Sequence, residues 1–199
     1  MKWFVWIKKW GCMIKAILDA CVLYRAQLRN FLIHLADNDQ FCPLWSEEIQ
    51  NEWTRNLLQK RPDLKQEKIQ RTCQNMNTHL PKSLVQGYES RIQAVQLPDP
   101  DDRHVIDVAI HANAEYIVTF DLRGFPKDIL HSHKIEAISP DDLTLQLIQK
   151  APRLVLDATK NHRSSLIQPP FSEDDYIIML ENNKLPKTAE ILREHKNDI

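Results

Sequence analysis

The chain is expected to fold as a three-layer α/β/α sandwich with a short, mainly parallel sheet, followed by an α-helical C-terminal appendage. Two short apolar runs, residues 14–18 and 116–120, each stop at an aspartate, Asp19 and Asp121. Continuous apolar runs of that length are characteristic of strands buried on both faces of a parallel sheet. Between the runs, apolar residues recur at helical spacing, so strands alternate with helices, as a sheet covered on both sides requires. Beyond residue 140 no strand-like run occurs.

Taken in order, the first strand covers residues 14–19. Leu28, Phe31, Leu32 and Leu35 then repeat on one face of a helix over residues 24–35. Residues 41–45 form a second short strand, with Pro43 placing it at an end or edge. Ser46 caps the next helix, and Glu47 and Glu48 lie in its positively polarised first turn. Ile49, Trp53 and Leu57 share its buried face, with Glu52 and Asn56 alongside, and the helix stops before Pro62. A charged helix spans residues 64–80 with Ile69, Cys73 and Met76 inward, and Pro81 closes it. A weaker segment covers 84–95.

Asp102 stands at the start of a helix carrying Val105, Ile106, Val108, Ala109 and Ile110. The strand ending at Asp121 follows, then a loop at Phe125-Pro126 and a last strand at 135–138. Helices are expected around 143–148, over 154–166, after Ser172 with Asp175 as a capping box, and from Pro186. Three regions result: an N-terminal extension 1–12, an α/β unit 13–140 and a helical region 141–199.

Composition narrows the chemistry. The content of 43% hydrophobic and 27% charged residues is that of a globular chain. Only 3 glycines occur, and neither a P-loop nor a dinucleotide fingerprint is present. The net charge of −1 hides an asymmetry, since bases outnumber acids before residue 99 and the reverse holds after it. Arg55, Lys60, Arg61, Lys65, Lys68 and Arg71 form either a track for a polyanion or a solvated helix face. Cys12, Cys21, Cys42 and Cys73 have no zinc spacing and are expected as free thiols in a reducing, cytoplasmic setting. Residues 1–12, with Trp3, Trp6 and Trp10 among lysines, are neither a signal peptide nor long enough to span a bilayer. Met13 offers an alternative start, and a membrane-surface tail is the sharper reading of the extension.

Four acids carry the chemistry: Asp19, Glu52, Asp102 and Asp121. Strand ends in open α/β sheets are where ligands bind, and carboxylates gathered there repel one another unless a cation is present. Hard oxygen ligands suit Mg²⁺ or Mn²⁺. Such an ion positions water and neutralises charge developing on a phosphate. Each acid alone has a plainer role: Asp19 and Asp102 as helix caps, Asp121 as a turn residue, Glu52 as a solvated side chain with Glu48 its competitor one turn earlier. Their joint placement is what points to a metal-dependent enzyme acting on phosphodiesters. A dehalogenase-type phosphatase needs a second aspartate where Cys21 stands, and the histidines make no convincing zinc set.

Four segments in this order carry a resemblance: Ile17-Leu18-Asp19-Ala20-Cys21, Ser46-Glu47-Glu48-Ile49-Gln50-Asn51-Glu52-Trp53, Asp99-Pro100-Asp101-Asp102-Arg103-His104-Val105, and Tyr116-Ile117-Val118-Thr119-Phe120-Asp121. The chain resembles the PIN-domain ribonucleases, particularly the VapC toxins of toxin–antitoxin pairs, over residues 13–140. Carried over by position, the resemblance makes Asp19, Glu52, Asp102 and Asp121 the acidic set and Thr119 the residue that orients a carboxylate. The fourth position varies between Asp and Asn in the family. Residues 143–194, through Asn161-His162-Arg163 and Asn182-Asn183-Lys184-Leu185-Pro186, resemble the helical C-terminal region of one subgroup.

The resemblance implies an Mg²⁺- or Mn²⁺-dependent endoribonuclease that leaves 5′-phosphate and 3′-hydroxyl ends. Asp19 and Asp102 are expected to touch metal directly, with Glu52 and Asp121 acting through water, at a second site, or on the nucleophile. Arg55, Lys60 and Arg103 are candidates for holding the RNA backbone. Implied partners are an RNA substrate (transfer RNA first, ribosomal or messenger RNA next), a cognate antitoxin and a second copy of the chain. The competing reading is a non-catalytic PIN-like scaffold for RNA or protein. Unused clustered carboxylates would cost such a scaffold stability.

Overall fold

The computed structural model describes residues 14–89 and 97–199. The extension 1–12, with Cys12 and its tail reading, lies outside the described residues, as does the second half of the segment expected at 84–95.

Four parallel strands form one sheet in the order β2-β1-β3-β4: β1 Lys15–Leu18, β2 Cys42–Leu44, β3 Tyr116–Val118 and β4 Glu136–Ile138. The register sets Ile17 opposite Leu44 on one side and Ile117 on the other, with Val118 opposite Ile138. Ala16, Ile17, Leu18, Ile117 and Val118 have no exposed surface. That is why these strands read as unbroken apolar runs rather than alternating ones. The central strands β1 and β3 carry Asp19 and Asp121 just beyond their carboxyl ends.

Ten helices are described. The helix expected over 24–35 is preceded by a separate short turn, giving α1 Ala20–Leu23 and α2 Ala26–Asp37. The break is held by Arg29, which is buried, donates to the Leu23 carbonyl and lies 4.6 Å over the Trp53 ring. Burial lowers Arg29 to about 10, still charged at neutral pH. Helix α3 (Glu47–Lys60) begins where Ser46 Oγ accepts the Ile49 N–H at 3.2 Å, a cap worth about 1 kcal/mol. Trp45 and Trp53 are fully buried core residues. Helix α4 is Gln66–His79.

A 3-10 turn (Pro100–Asp102) leads into α5 (Arg103–Ala112), which ends on Asn113 in the left-handed conformation. Helix α6 (Lys127–Ser132) follows the loop expected at Phe125-Pro126, in a stretch for which the sequence suggests no element; at 6 residues it is too short to show periodicity.

The C-terminal helices are α7 Pro140–Lys150, α8 Pro152–Ser165, α9 Glu173–Asn182 and α10 Pro186–Glu194. Ser172 and Asp175 close the expected capping exchange, Ser172 Oγ donating to the carboxylate at 2.6 Å and accepting the Asp175 N–H at 3.1 Å. Helix α8 packs on α2, and α7 packs on both α8 and α10. Asp141 ties α7 to α10 by accepting from the Lys187 N–H and from the N–H and hydroxyl of Thr188. Inside this region His162 has no exposed surface, and its Nδ1 lies 2.8 Å from the Tyr176 hydroxyl. Burial drives its pKa down to about 3, so the ring is neutral in the fold. Among the described residues no helix is long and apolar enough to cross a membrane.

Candidate active site

Asp19 leaves β1 with extended backbone angles and opens α1. It is only 6% exposed, and three donors reach its carboxylate. Oδ1 accepts the Ala20 N–H at 2.6 Å. Oδ2 accepts the Thr119 hydroxyl at 2.6 Å and lies 3.0 Å from Cys21 Sγ. Helix capping and site placement are thus met by one side chain. Burial nonetheless raises its pKa above the ordinary carboxylate value, helped by the nearby charge of Glu52, while those hydrogen bonds oppose the shift.

Thr119 has no exposed surface and sits directly after β3. While donating to Asp19, its Oγ1 accepts the Asp121 N–H at 3.0 Å. Asp121 Oδ1 in turn accepts the Gly124 N–H at 3.1 Å. A methyl added to Gly124 would lie 2.8 Å from Asp121 Oδ2 and 3.3 Å from Asp102 Oδ2. Two carboxylates therefore crowd the face that a side chain at 124 would occupy.

Asp102 occupies the capping position of α5 without a capping hydrogen bond from its side chain. Asp99 takes the local capping role, accepting the Asp101 N–H at 2.9 Å. The Asp102 carboxyl is raised to about 6, first by partial burial and then by Asp19, Asp99 and Glu52, against the smaller opposing effect of His104.

Glu52, on α3, is 3.4 Å from His104 Nε2, whereas Glu48 is 3.9 Å from Nδ1 of the same ring. The Glu48 side chain is 57% exposed and accepts the Tyr88 hydroxyl at 3.2 Å; that of Glu52 is 29% exposed and acts electrostatically on both Asp19 and Asp102. For His104, burial is the largest single influence and lowers its pKa. Glu52, Glu48 and Asp19 together outweigh it and leave the imidazole above its ordinary value.

A cavity of about 750 Å³ opens beside this group, lined by Glu48, Glu52, Arg55, Asp102, Arg103 and His104 among others. Asp19 and Asp121 are not in its wall, so the cavity adjoins the acids rather than enclosing all four. Of the sequence-derived basic candidates, Arg55 and Arg103 line the cavity. Lys60 does not; its Nζ lies 5.4 Å from the centroid of the Tyr24 ring.

Among the described residues no three His, Cys, Asp or Glu groups are drawn together tightly enough to form a metal cage by themselves. The donor set still suits a hard divalent cation. Its members are carboxylates, Asp19 and Asp102 are raised partly by one another's charge or by Glu52, and Gly124 leaves open the side on which Asp102 and Asp121 meet. Mg²⁺ keeps most of its water and takes one or two protein carboxylates, so an open arrangement is what it needs.

Gly124, Cys21, His104 and Asp99 also belong to the site, without a role expected from the sequence. Gly124 had a visible signal, a glycine three residues after Asp121 in a chain with only 3. Nothing in the sequence announced that His104 reaches both glutamates of α3.

The family profile of the PIN domain matches residues 15–123, more than half of the 199 residues, and that of the VapC50 C-terminal domain matches residues 140–194. A Mycobacterium tuberculosis protein named "Putative ribonuclease VapC50" is 38% identical over 89 residues, covering 43% of this chain and 50% of the relative. The chain thus spans about half the length of the curated relative it matches. No solved structure matches it. Sheet order, strand-end acids and the profile match converge on one assignment: the chain belongs to the PIN-domain family.

Proposed function

We propose that the protein is a divalent-metal-dependent endoribonuclease and the toxin of a toxin–antitoxin pair, hydrolysing RNA phosphodiester bonds to 5′-phosphate and 3′-hydroxyl ends. The observation that carries this reading is the hydrogen-bonded run Asp19–Thr119–Asp121–Gly124, with the Asp102 carboxylate facing the same side of Gly124 on which Asp121 lies. Membership of the PIN-domain family and the name of the relative support it.

In this reading Asp19 and Asp102 hold Mg²⁺ or Mn²⁺ directly, and Glu52 and Asp121 complete the shell through water. Bound there, the ion would lower the pKa of a coordinated water and offset charge on the phosphate. The chain's own groups do the rest. Thr119 fixes the Asp19 carboxylate, leaving its remaining acceptor capacity aimed outward. His104, which also lies near Glu48, holds Glu52 on the cavity side. Glu52 is favoured over Glu48 because its side chain is less exposed and interacts with the other acids. Arg55 and Arg103, in the cavity wall, and Lys60, at the end of the helix that carries Arg55, position the RNA backbone without reading sequence. Transfer RNA is the first substrate to test, an antitoxin the expected partner, the cytoplasm the expected setting, and a homodimer the expected assembly.

The test is cleavage of end-labelled transfer RNA, ribosomal RNA and messenger RNA by the purified chain in Mg²⁺ or Mn²⁺. Asp19→Asn should abolish cutting while the protein stays folded, and induction in bacteria should arrest growth until the antitoxin is co-expressed. Full metal-dependent cutting by Asp19→Asn would refute the assignment of that carboxylate. A wild-type chain that binds RNA and never cuts it would favour the scaffold reading.

A further inference from the structure

One aromatic ring beside the acidic site carries two cations from distant parts of the chain. The Arg25 guanidinium carbon lies 5.4 Å from the centroid of the Phe120 ring and Lys184 Nζ lies 5.1 Å from it. Arg25 immediately precedes α2, while Lys184 sits in the turn between α9 and α10 with a left-handed φ of 63°. That turn is pinned to α2. The buried Asn183 donates from Nδ2 to Gln27 Oε1 at 3.1 Å and to the Met179 carbonyl at 2.8 Å, and Arg25 Nη1 reaches the Asn182 carbonyl at 3.5 Å. Alongside, Lys60 rests on Tyr24 at 5.4 Å. Among the described residues, none of Arg25, Lys60 and Lys184 has a carboxylate ion-pair partner.

A ring face attracts cations without neutralising them, so two like charges held on one ring remain an unsatisfied positive pair. Their site is specific. Phe120 stands between Thr119 and Asp121, and its N–H donates to Cys21 Sγ at 3.3 Å. The acids themselves repel phosphate, so an RNA strand approaching them needs attraction at the rim. A guanidinium fork and an ammonium are the groups that hold phosphate oxygens.

We infer that Arg25 and Lys184, held on Phe120, form a clamp for backbone phosphate of a single RNA strand beside the acidic site, with the C-terminal region supplying half of it. The identity of the polyanion rests on the nuclease reading above; the clamp's geometry does not.

The test is anisotropy of fluorescein-labelled U12 RNA with the full chain carrying Asp19→Asn, in EDTA, over a series of salt concentrations. Lys184→Ala and Arg25→Ala should each weaken binding about tenfold at low salt, and each should flatten the log–log salt dependence by about 0.7, the loss of one phosphate contact on a single strand. Phe120→Leu should weaken it several-fold with the thermal midpoint kept. Lys150→Ala, at the end of α7, should change neither affinity nor slope. Unchanged binding in the Lys184 and Arg25 variants, or an equal loss in Lys150→Ala, overturns the clamp. If the wild-type chain still cuts RNA, the nuclease reading survives that result. Clamp-dependent U12 binding by a wild-type chain that never cuts in Mg²⁺ or Mn²⁺ upholds the clamp and removes the nuclease. Binding of a polyglutamate peptide through these residues, with none of U12, would give the surface to an acidic protein segment and overturn the proposal.

Discussion

The Thr119 hydroxyl donates to Asp19 Oδ2 across 2.6 Å, joining residues 100 positions apart at the ends of the two central strands. The same oxygen accepts the Asp121 N–H, so its single proton is committed to Asp19. Thr119→Val should keep the fold, since the residue is fully buried and the swap conserves shape, but free the carboxylate. Metal affinity or RNA cleavage should fall about 10- to 100-fold, the usual cost of losing an outer partner of a metal ligand. Thr119→Ser should restore most of it. Manganese titration of both variants checks this.

Asp102 makes the acidic site a stability cost at neutral pH. Its folded pKa, about 6, lies above the ordinary 3.8, so the folded state holds the proton more tightly. That contribution is complete below about pH 3.8 and is lost as pH rises through 6. After allowing for solvent screening, Asp102→Asn should gain about 1–2 kcal/mol at pH 7.5 in EDTA and almost nothing at pH 3.5. Urea unfolding at the two pH values measures the difference.

A divalent ion should reverse that cost. Mg²⁺ or Mn²⁺ at a hundred times its Kd should stabilise the wild-type chain by about 2.7 kcal/mol, seen as a rise in thermal midpoint that EDTA cancels. Asp19→Asn should lose most of the rise. An equal rise in that variant would place the binding elsewhere.

Gly124 has no room for a side chain beside the acids. In Gly124→Ala the new methyl meets Asp121 Oδ2 at 2.8 Å, so the carboxylate must turn away. Cleavage should drop at least about tenfold while stability changes by about 1 kcal/mol or less, a strain of ordinary size for a small-to-large change. Parallel kinetic and melting measurements separate the two effects.

Acid should weaken the fold through His162. Its folded pKa, about 3, lies below the ordinary 6.5, so the unfolded chain takes the proton first. Stability from this residue is complete above about pH 6.5 and declines as pH falls, by about 3 kcal/mol at pH 4. His162→Phe should flatten that decline in a urea series across pH 4–7.

Most of the sheet was legible because its strands are buried on both faces and therefore apolar throughout. Asp19, Asp102 and Asp121 were legible because each sits where a regular element begins or ends. The separate α1 turn was not, since it depends on Arg29 reaching Leu23 and Trp53 from another turn of chain. Helix α6 is too short to carry a period. The cation pair on Phe120 could not be read either, because Arg25 and Lys184 meet only once the turn between α9 and α10 is tied to α2 through Asn183 and Gln27. Local pattern reveals elements, and side-chain meetings between segments so distant in sequence need the packing itself.

The His162 ring of α8 meets, in tilted geometry, those of Phe31 at 5.9 Å and His34 at 5.2 Å between centroids, both on α2. The segments matched by two separate family profiles therefore share one interior. A fragment trimmed to the first would carry a bare, adhesive flank along α2 and would tend to clump. Exchanging tails between relatives would call for grafting α2 together with them.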